Sequence, residues 1–202
     1  MLRIHGIARS RAFRCIWAAE EAGLAYEVVP VGFGPGLRDA MAPVNPNGKI
    51  PALEDGGLML FESLAINLHL GAKAGAPLMP AGDDGSRVLQ WTLWAATEAE
   101  PNAMQWAYNT FIRPPEQRDA ALAAAGAAAL AQRLEVLEAH LAQGGPWLLG
   151  ATFTMADCNL ASVLYGAWAN GFDLGPFPKV KAWLDAALNR PAALAARKQR
   201  EG

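Results

Sequence analysis

The hydrophobic pattern changes period once along the chain. Up to about residue 75, short apolar runs of strand length alternate with stretches of helical spacing; beyond about residue 85 only helical spacing remains. Residues 2–7 read as a strand. Phe13, Ile16, Trp17 and an apolar stretch to Leu24 predict a helix over 10–22, stopped at Gly23. Residues 26–31 read as a second strand, and a strand–helix–strand unit with such short links implies a right-handed parallel crossover. A loop over 32–36 and a short helix at Leu37–Met41 follow. Runs at 52–54 and 58–61 flank Asp55-Gly56-Gly57, the pattern of a β-hairpin. Glu62-Ser63 then opens a helix carrying Leu64, Ile66, Leu68 and Leu70, with Gly71 near its end. The predicted order is β-α-β-α-β-β-α.

Residues 74–85 are rich in Gly, Pro, Ala and Asp, a linker composition. Residues 86–110 predict a long helix with Trp91, Trp94, Trp106 and Tyr108, bent near Pro101. Pro114-Pro115-Glu116 opens a second one, which runs through an Ala-rich stretch to about 142 and stops at Gly144-Gly145-Pro146. Phe153-Thr154-Met155-Ala156-Asp157 is a capping signature, with Thr154 as N-cap and Asp157 three residues on. That helix runs to about 170, and 179–189 and 191–198 are the last. The expected organisation is an α/β domain over 1–75, a linker over 76–85 and an all-α domain over 86–202.

Composition narrows the function classes. Of 202 residues, 52% are apolar and 18% charged, which supports a substantial core. A net charge of -2 argues against a nucleic-acid or anionic-membrane binder. Met1-Leu2-Arg3-Ile4-His5 lacks the apolar run of a signal peptide. The uncharged run at 120–131 falls short of the about 20 residues a membrane span needs. Cys15 and Cys158 lie far apart and form no C-x-x-C, so a reduced, cytoplasmic protein is expected. His5, His69 and His140 share no metal-ligand spacing, and no metal is expected.

The chemistry is concentrated between Asn45 and Leu70. Gly48-Lys49-Ile50-Pro51 places an X-Pro bond just before a strand, where a missing N–H is tolerated. A cis bond there would turn the Ile50 backbone N–H and C=O outward, free to pair with an extended peptide. Ser63 sets a hydroxyl and bare N–H groups at a helix N-terminus, a ready anion site. A strand edge and an anion site one hairpin apart suit a short peptide with a carboxylate. Ser10, between the first strand and the first helix, reads as a helix cap, a chemical group, or both.

These residues resemble the glutathione S-transferase family, of the bacterial, serine-type kind. The family pattern is roughly N-P-x-G-x-(V/I)-P-x-L, a hairpin, then E-S-x-A-I-x-x-Y-L. Here it reads Asn45-Pro46-Asn47-Gly48-Lys49-Ile50-Pro51-Ala52-Leu53 and Glu62-Ser63-Leu64-Ala65-Ile66-Asn67-Leu68-His69-Leu70, with His69 in place of Tyr. The resemblance covers nearly the whole chain and implies a thioredoxin-like α/β N-terminal domain plus an all-α C-terminal domain. It implies glutathione as co-substrate and a small apolar electrophile as partner, in a cytoplasmic, detoxifying homodimer. Glutathione would meet Arg11, Lys49, Ile50, Pro51, Glu62 and Ser63, its ammonium on Glu62 and its γ-glutamyl carboxylate on Ser63. Ser10 would donate to the thiolate. It occupies the place of the reactive Cys of thioredoxins, and Ser10-Arg11-Ala12-Phe13 excludes dithiol chemistry there. By the family's spacing the hydroxyl stands five residues before an arginine. Arg9 stands five before Arg14 and Ser10 four, so Arg9 and Arg11 remain alternatives. Trp106 and Asn109 are candidates for a second-substrate pocket, Trp94 less so, while Cys15 and Cys158 read as core. A silent binding module of the same fold, or a glutathione-dependent isomerase, dehalogenase or peroxidase, is the alternative.

Overall fold

Four strands form one mixed sheet in the order β2-β1-β3-β4. They are β1 (Leu2–His5), β2 (Tyr26–Val29), β3 (Ala52–Asp55) and β4 (Leu58–Phe61). The computed structural model describes all 202 residues. β1 runs parallel to β2, with Ile4 beside Val28, and antiparallel to β3, with Ile4 beside Leu53. Asp55 pairs with Leu58, so Gly56-Gly57 is a two-residue hairpin turn, and Gly56 supplies the positive φ (63°) such a turn requires. The βαβ and hairpin expectations hold; β1 and β2 each stop two residues before the expected runs end, β3 runs one residue further and β4 matches.

The chain divides into two units, Met1–Ala81 with Asn189–Gly202, and Gly82–Leu188. In the first, α1 (Ala12–Glu21) packs between α3 (Ser63–Ala74) and α9 (Pro191–Glu201), and also touches β1. With neighbours on several sides it buries every residue from Ala12 to Ala19, as a helix surrounded by structure does. α2 is the short helix Leu37–Met41. The expectation that residues up to 202 belong to the helical domain differs from this arrangement. Asn189–Gly202 cluster with the first unit. Arg190 grips Glu21 through two hydrogen bonds of 2.7 and 2.8 Å, and the Glu21 side chain is buried. Pairing across so long a sequence separation leaves no local pattern.

The second unit holds α4 (Gly82–Trp94), α5 (Glu100–Ala107), α6 (Ala120–Leu141), α7 (Met155–Ala169) and α8 (Pro178–Leu188). α4 and α5 are one helical run with π-helical turns at Ala95–Ala99 and, beyond α5, Tyr108–Ile112. The run begins at Gly82, inside the expected linker, and Pro101 sits in the first turn of α5. Proline offers no N–H to the carbonyl four residues back and crowds it, so the ladder widens just before it. α6 begins later than the Pro-Pro signal, because Asp119 is its cap, accepting from the N–H of Ala121 and Leu122 at 2.8 and 3.0 Å. Residues 115–117 form a separate 3₁₀ turn. At 22 residues α6 is long and apolar enough to cross a membrane by length and composition, longer than the 120–131 run suggests. Here its stripe of Gly126, Leu130, Leu134, Leu137 and Leu141 is buried within the unit. Gly126 is required for this: a Cβ there would lie 2.6 Å from the backbone nitrogen of Trp106, so α5 and α6 meet backbone to backbone.

α7 is the axis of the unit, with the expected capping box at Thr154 and Asp157. Asp157 does more than cap. Fully buried, it accepts from the Thr154 N–H (2.9 Å) and hydroxyl (3.2 Å), from the Leu148 N–H (2.8 Å) and from Trp183 Nε1–H (2.9 Å). It thereby joins the loop before α7 to α8. A lost cap alone costs about 1 kcal/mol, but each buried donor left unpaired adds about 1–3 kcal/mol. Asp157→Ala is therefore expected to lower unfolding free energy by about 3–5 kcal/mol. Urea denaturation checks this: a loss near 1 kcal/mol would mean that Leu148 and Trp183 do not depend on the carboxylate.

Candidate functional site

The sheet topology gathers the sequence motifs at one edge. His5, Ala52 and Phe61 are neighbours in one row across β1, β3 and β4. The chain leaves β1 at Gly6, enters β3 from Ile50-Pro51 and leaves β4 at Glu62-Ser63, all beyond that row. At Gly6 the segments touch: an added Cβ would lie 2.9 Å from Ala12 Cβ, 3.4 Å from Ile50 Cβ and 3.7 Å from Ser10 Oγ. Its φ of 144° is a second reason for glycine. Gly6 N–H is held by the Val29 carbonyl at 3.0 Å.

Ser10 lies in the loop between β1 and α1 and is buried, with 8% of its surface exposed. Its hydroxyl donates to the Ile7 carbonyl at 2.7 Å and accepts from the Ala12 N–H at 3.1 Å. The hydroxyl is thus already employed at the helix start. Arg9 and Arg11 flank it and are exposed.

The Ile50-Pro51 bond is cis, and Ile50 lies just outside the ladder that begins at Ala52. Asn45, the first residue of the motif, builds this approach. Buried, it accepts the Asn47 N–H at 3.0 Å and donates to the Lys49 carbonyl at 2.7 Å, closing the loop that presents Ile50. The side chain of Lys49 is exposed.

Glu62, exposed, precedes α3 with φ 69° and ψ 107°, and it is the one non-glycine residue with positive φ. Ser63 is buried at the start of α3, whose first N–H groups have no partner one turn back. Arg14 Nη1 donates to Ser63 Oγ at 3.3 Å from within α1, with 6% of Arg14 exposed. A guanidinium and a helix N-terminus therefore face the same spot, and both favour an anion. In the sequence, Arg14 serves only to set the register of the loop hydroxyl. The usable signal was a charge set in the apolar stripe of α1.

Other candidates take structural places. Burial pushes the Cys15 thiol up to about 12 despite the neighbouring Arg14 charge, so it is no nucleophile. Trp106 is buried against Phe111 and Phe172, edge to face at 5.6 and 5.3 Å. Asn109 is buried and donates to the Gln105 carbonyl, while its oxygen accepts from Arg113 and the Asp119 N–H. Both make these contacts within the second unit. Trp94 does line a cavity of about 460 Å³, with Trp91, Val136, Ala139 and His140. His69, the departure from the motif, holds Asp55 of the hairpin at 2.8 Å together with Lys73.

The family descriptions "Glutathione S-transferase, N-terminal domain" and "Glutathione S-transferase, C-terminal domain" match residues 3–72 and 119–186. The chain belongs to the glutathione S-transferase family. Glutathione S-transferase 3 of Zea mays is 36% identical over 95% of this chain and 90% of its own. The disulfide-bond oxidoreductase YfcG of Escherichia coli is 32% identical over 86% of this chain and 83% of its own. A theta class glutathione S-transferase of Xanthomonas axonopodis pv. citri, solved with glutathione bound, superposes with a TM-score of 0.88 at 32% identity, covering 96% of both chains. The thioredoxin-like sheet domain and the helical domain are those of this family.

The strained Glu62 backbone is expected to be visible in stability. Alanine keeps the unfavourable φ, whereas glycine relieves it, so Glu62→Gly should be more stable than Glu62→Ala by about 1 kcal/mol. Paired thermal melts check this; an alanine variant at least as stable as the glycine variant would mean that the position is unstrained.

Proposed function

We propose that this transferase-family chain binds glutathione at the sheet edge, activates its thiol and transfers it to a small apolar electrophile. The observation that carries the reading is the convergence of Ser10, Ile50, Glu62 and Ser63 at one end of the sheet, with the Arg14 charge behind Ser63. The γ-glutamyl carboxylate sits on Ser63 and the N–H groups of α3, its ammonium on Glu62. The Ile50 backbone beside cis Pro51 pairs with the cysteinyl main chain. Lys49 and Arg11 address the remaining carboxylate charge.

Ser10 donates to the thiolate, which attacks the electrophilic carbon. A C–S bond forms and the leaving group departs with its electron pair. A free thiol has a pKa near 8.5, and good activity at neutral pH needs it about two units lower. Ser10 first gives up its bond to the Ile7 carbonyl, a neutral one worth about 1 kcal/mol, for a charged one worth about 1.5–3 kcal/mol. Its net share is therefore nearer one unit, and the start of α1 supplies part of the rest. Trp106 and Asn109 stay proposed as second-substrate residues on family likeness, each already held in place by neighbours in its own unit. The exposed Leu58, Met59 and Phe61 on edge strand β4 support a homodimer. A cytoplasmic, detoxifying role rests on family likeness.

The capping role of the Ser10 hydroxyl favours one second reading, a glutathione binder without turnover. Two variants test both. Glu62→Ala is expected to weaken glutathione binding by about 1.5–3 kcal/mol in calorimetry; an unchanged dissociation constant would place the peptide elsewhere. Ser10→Ala is expected to raise the bound thiol's pKa by about one unit and slow conjugation at neutral pH about tenfold. Thiolate absorbance followed against pH decides. A wild-type complex titrating near 8.5 supports the silent binder, and a shift seen only in Arg9→Ala or Arg11→Ala transfers the role to that arginine.

A further inference from the structure

We propose that Arg200, on α9, is a positioning residue for the thiol-activating loop; the inference rests on the reading of Ser10 given above. From α9, Arg200 Nη1 donates to the carbonyls of Ala8 and Ser10 at 2.8 and 3.2 Å, the two peptides that flank Arg9 and Ser10. Its guanidinium carbon lies 5.4 Å from the centre of the Phe13 ring in α1, so the group is held between loop and helix. The neighbouring Gln199 fixes the register of α9. It donates to the Tyr26 hydroxyl at 2.9 Å, which donates in turn to Glu20 of α1 at 2.6 Å.

The geometry has a direct effect on the loop. In a trans peptide the C=O and the following N–H point in opposite directions. Drawing the Ala8 and Ser10 carbonyls toward Arg200 turns the N–H groups of Arg9 and Arg11 to the far side of the loop, at the N-terminal end of α1. The same two bonds fix the backbone from which the Ser10 hydroxyl swings between Ile7 and the thiolate. Arg200 contributes a cation as well, alongside Arg9 and Arg11 in the loop and Arg14 in α1, and a charge-assisted bond to a carbonyl is stronger than a neutral one. Its action passes through the loop rather than through contact with the peptide.

The test compares wild type, Arg200→Met, Arg200→Lys and Ser10→Ala, with glutathione and an activated dinitroaryl chloride as probes. For Arg200→Met the bound thiol's pKa is expected to rise by about half a unit or more, and kcat at neutral pH to fall about threefold to tenfold and recover at higher pH, with KM for glutathione within about twofold. Arg200→Lys, which keeps the charge and the donors, is expected to restore most of the loss. If Arg200→Met does not fold, Arg200→Gln takes its place with a smaller rise expected. An arginine variant that titrates like wild type while Ser10→Ala does not overturns this inference and leaves the Ser10 reading standing. Activity lost only in proportion to unfolded protein, with an unmoved thiol pKa, overturns it as well. If Ser10→Ala also titrates like wild type, the Ser10 reading fails and this one with it.

Discussion

Everything at the site depends on the register between β1 and β3. Ile4 and Leu53 stand opposite each other, both fully buried, and that pairing places Ala52 beside His5. A one-residue slip would turn Leu53 to the other face of the sheet. It would also carry Ile50 about 3.3 Å along the strand direction and away from Gly6. The apolar core therefore sets the distance between the loop bearing Ser10 and the turn bearing Ile50. The hairpin then delivers Glu62 and Ser63 to the same edge, because β4 runs back alongside β3 with a turn of only two residues.

Electrostatics are layered on this frame. Arg14 is a buried cation whose side chain reaches Ser63 Oγ from the core side. An anion arriving at Ser63 meets charge and helix N–H groups partly shielded from water, where attraction exceeds that of a surface pair. Glu62 is held at positive φ next to this spot, a local cost that the hairpin and α3 impose from either side.

Much of this was legible in the chain. The two short runs and the glycine turn marked the hairpin, and the N-P-N-G-K-I-P and E-S-L-A-I segments marked the edge where a peptide is proposed to be held. Thr154 and Asp157 marked the start of α7. What escaped is of another kind. Asp119 displaced Pro115 as the start of α6 because a carboxylate that accepts two N–H groups outweighs a proline's preset φ. Arg14 shows in the sequence only as a charge among the apolar residues of α1, and its burial and its contact with Ser63 are decided by partners distant in sequence. The Ser10 hydroxyl could be named but not aimed, since a rotor's direction depends on the carbonyls around it. For Trp106 the sequence leaves the choice open, because aromatic spacing on a helix is the same for a pocket as for a core.

The return of α9 to the first unit has a consequence for biosynthesis. Chains emerge from the ribosome N-terminus first, and domains ordinarily condense in that order. Here Glu21 waits for Arg190, and the carbonyls of Ala8 and Ser10 wait for Arg200. The sheet and its hairpin have all their strands early, while the loop between β1 and α1 acquires its last partners only after the whole helical unit has been made. The site is thus completed only after the helical unit has been translated, although most of its residues precede that unit in the chain.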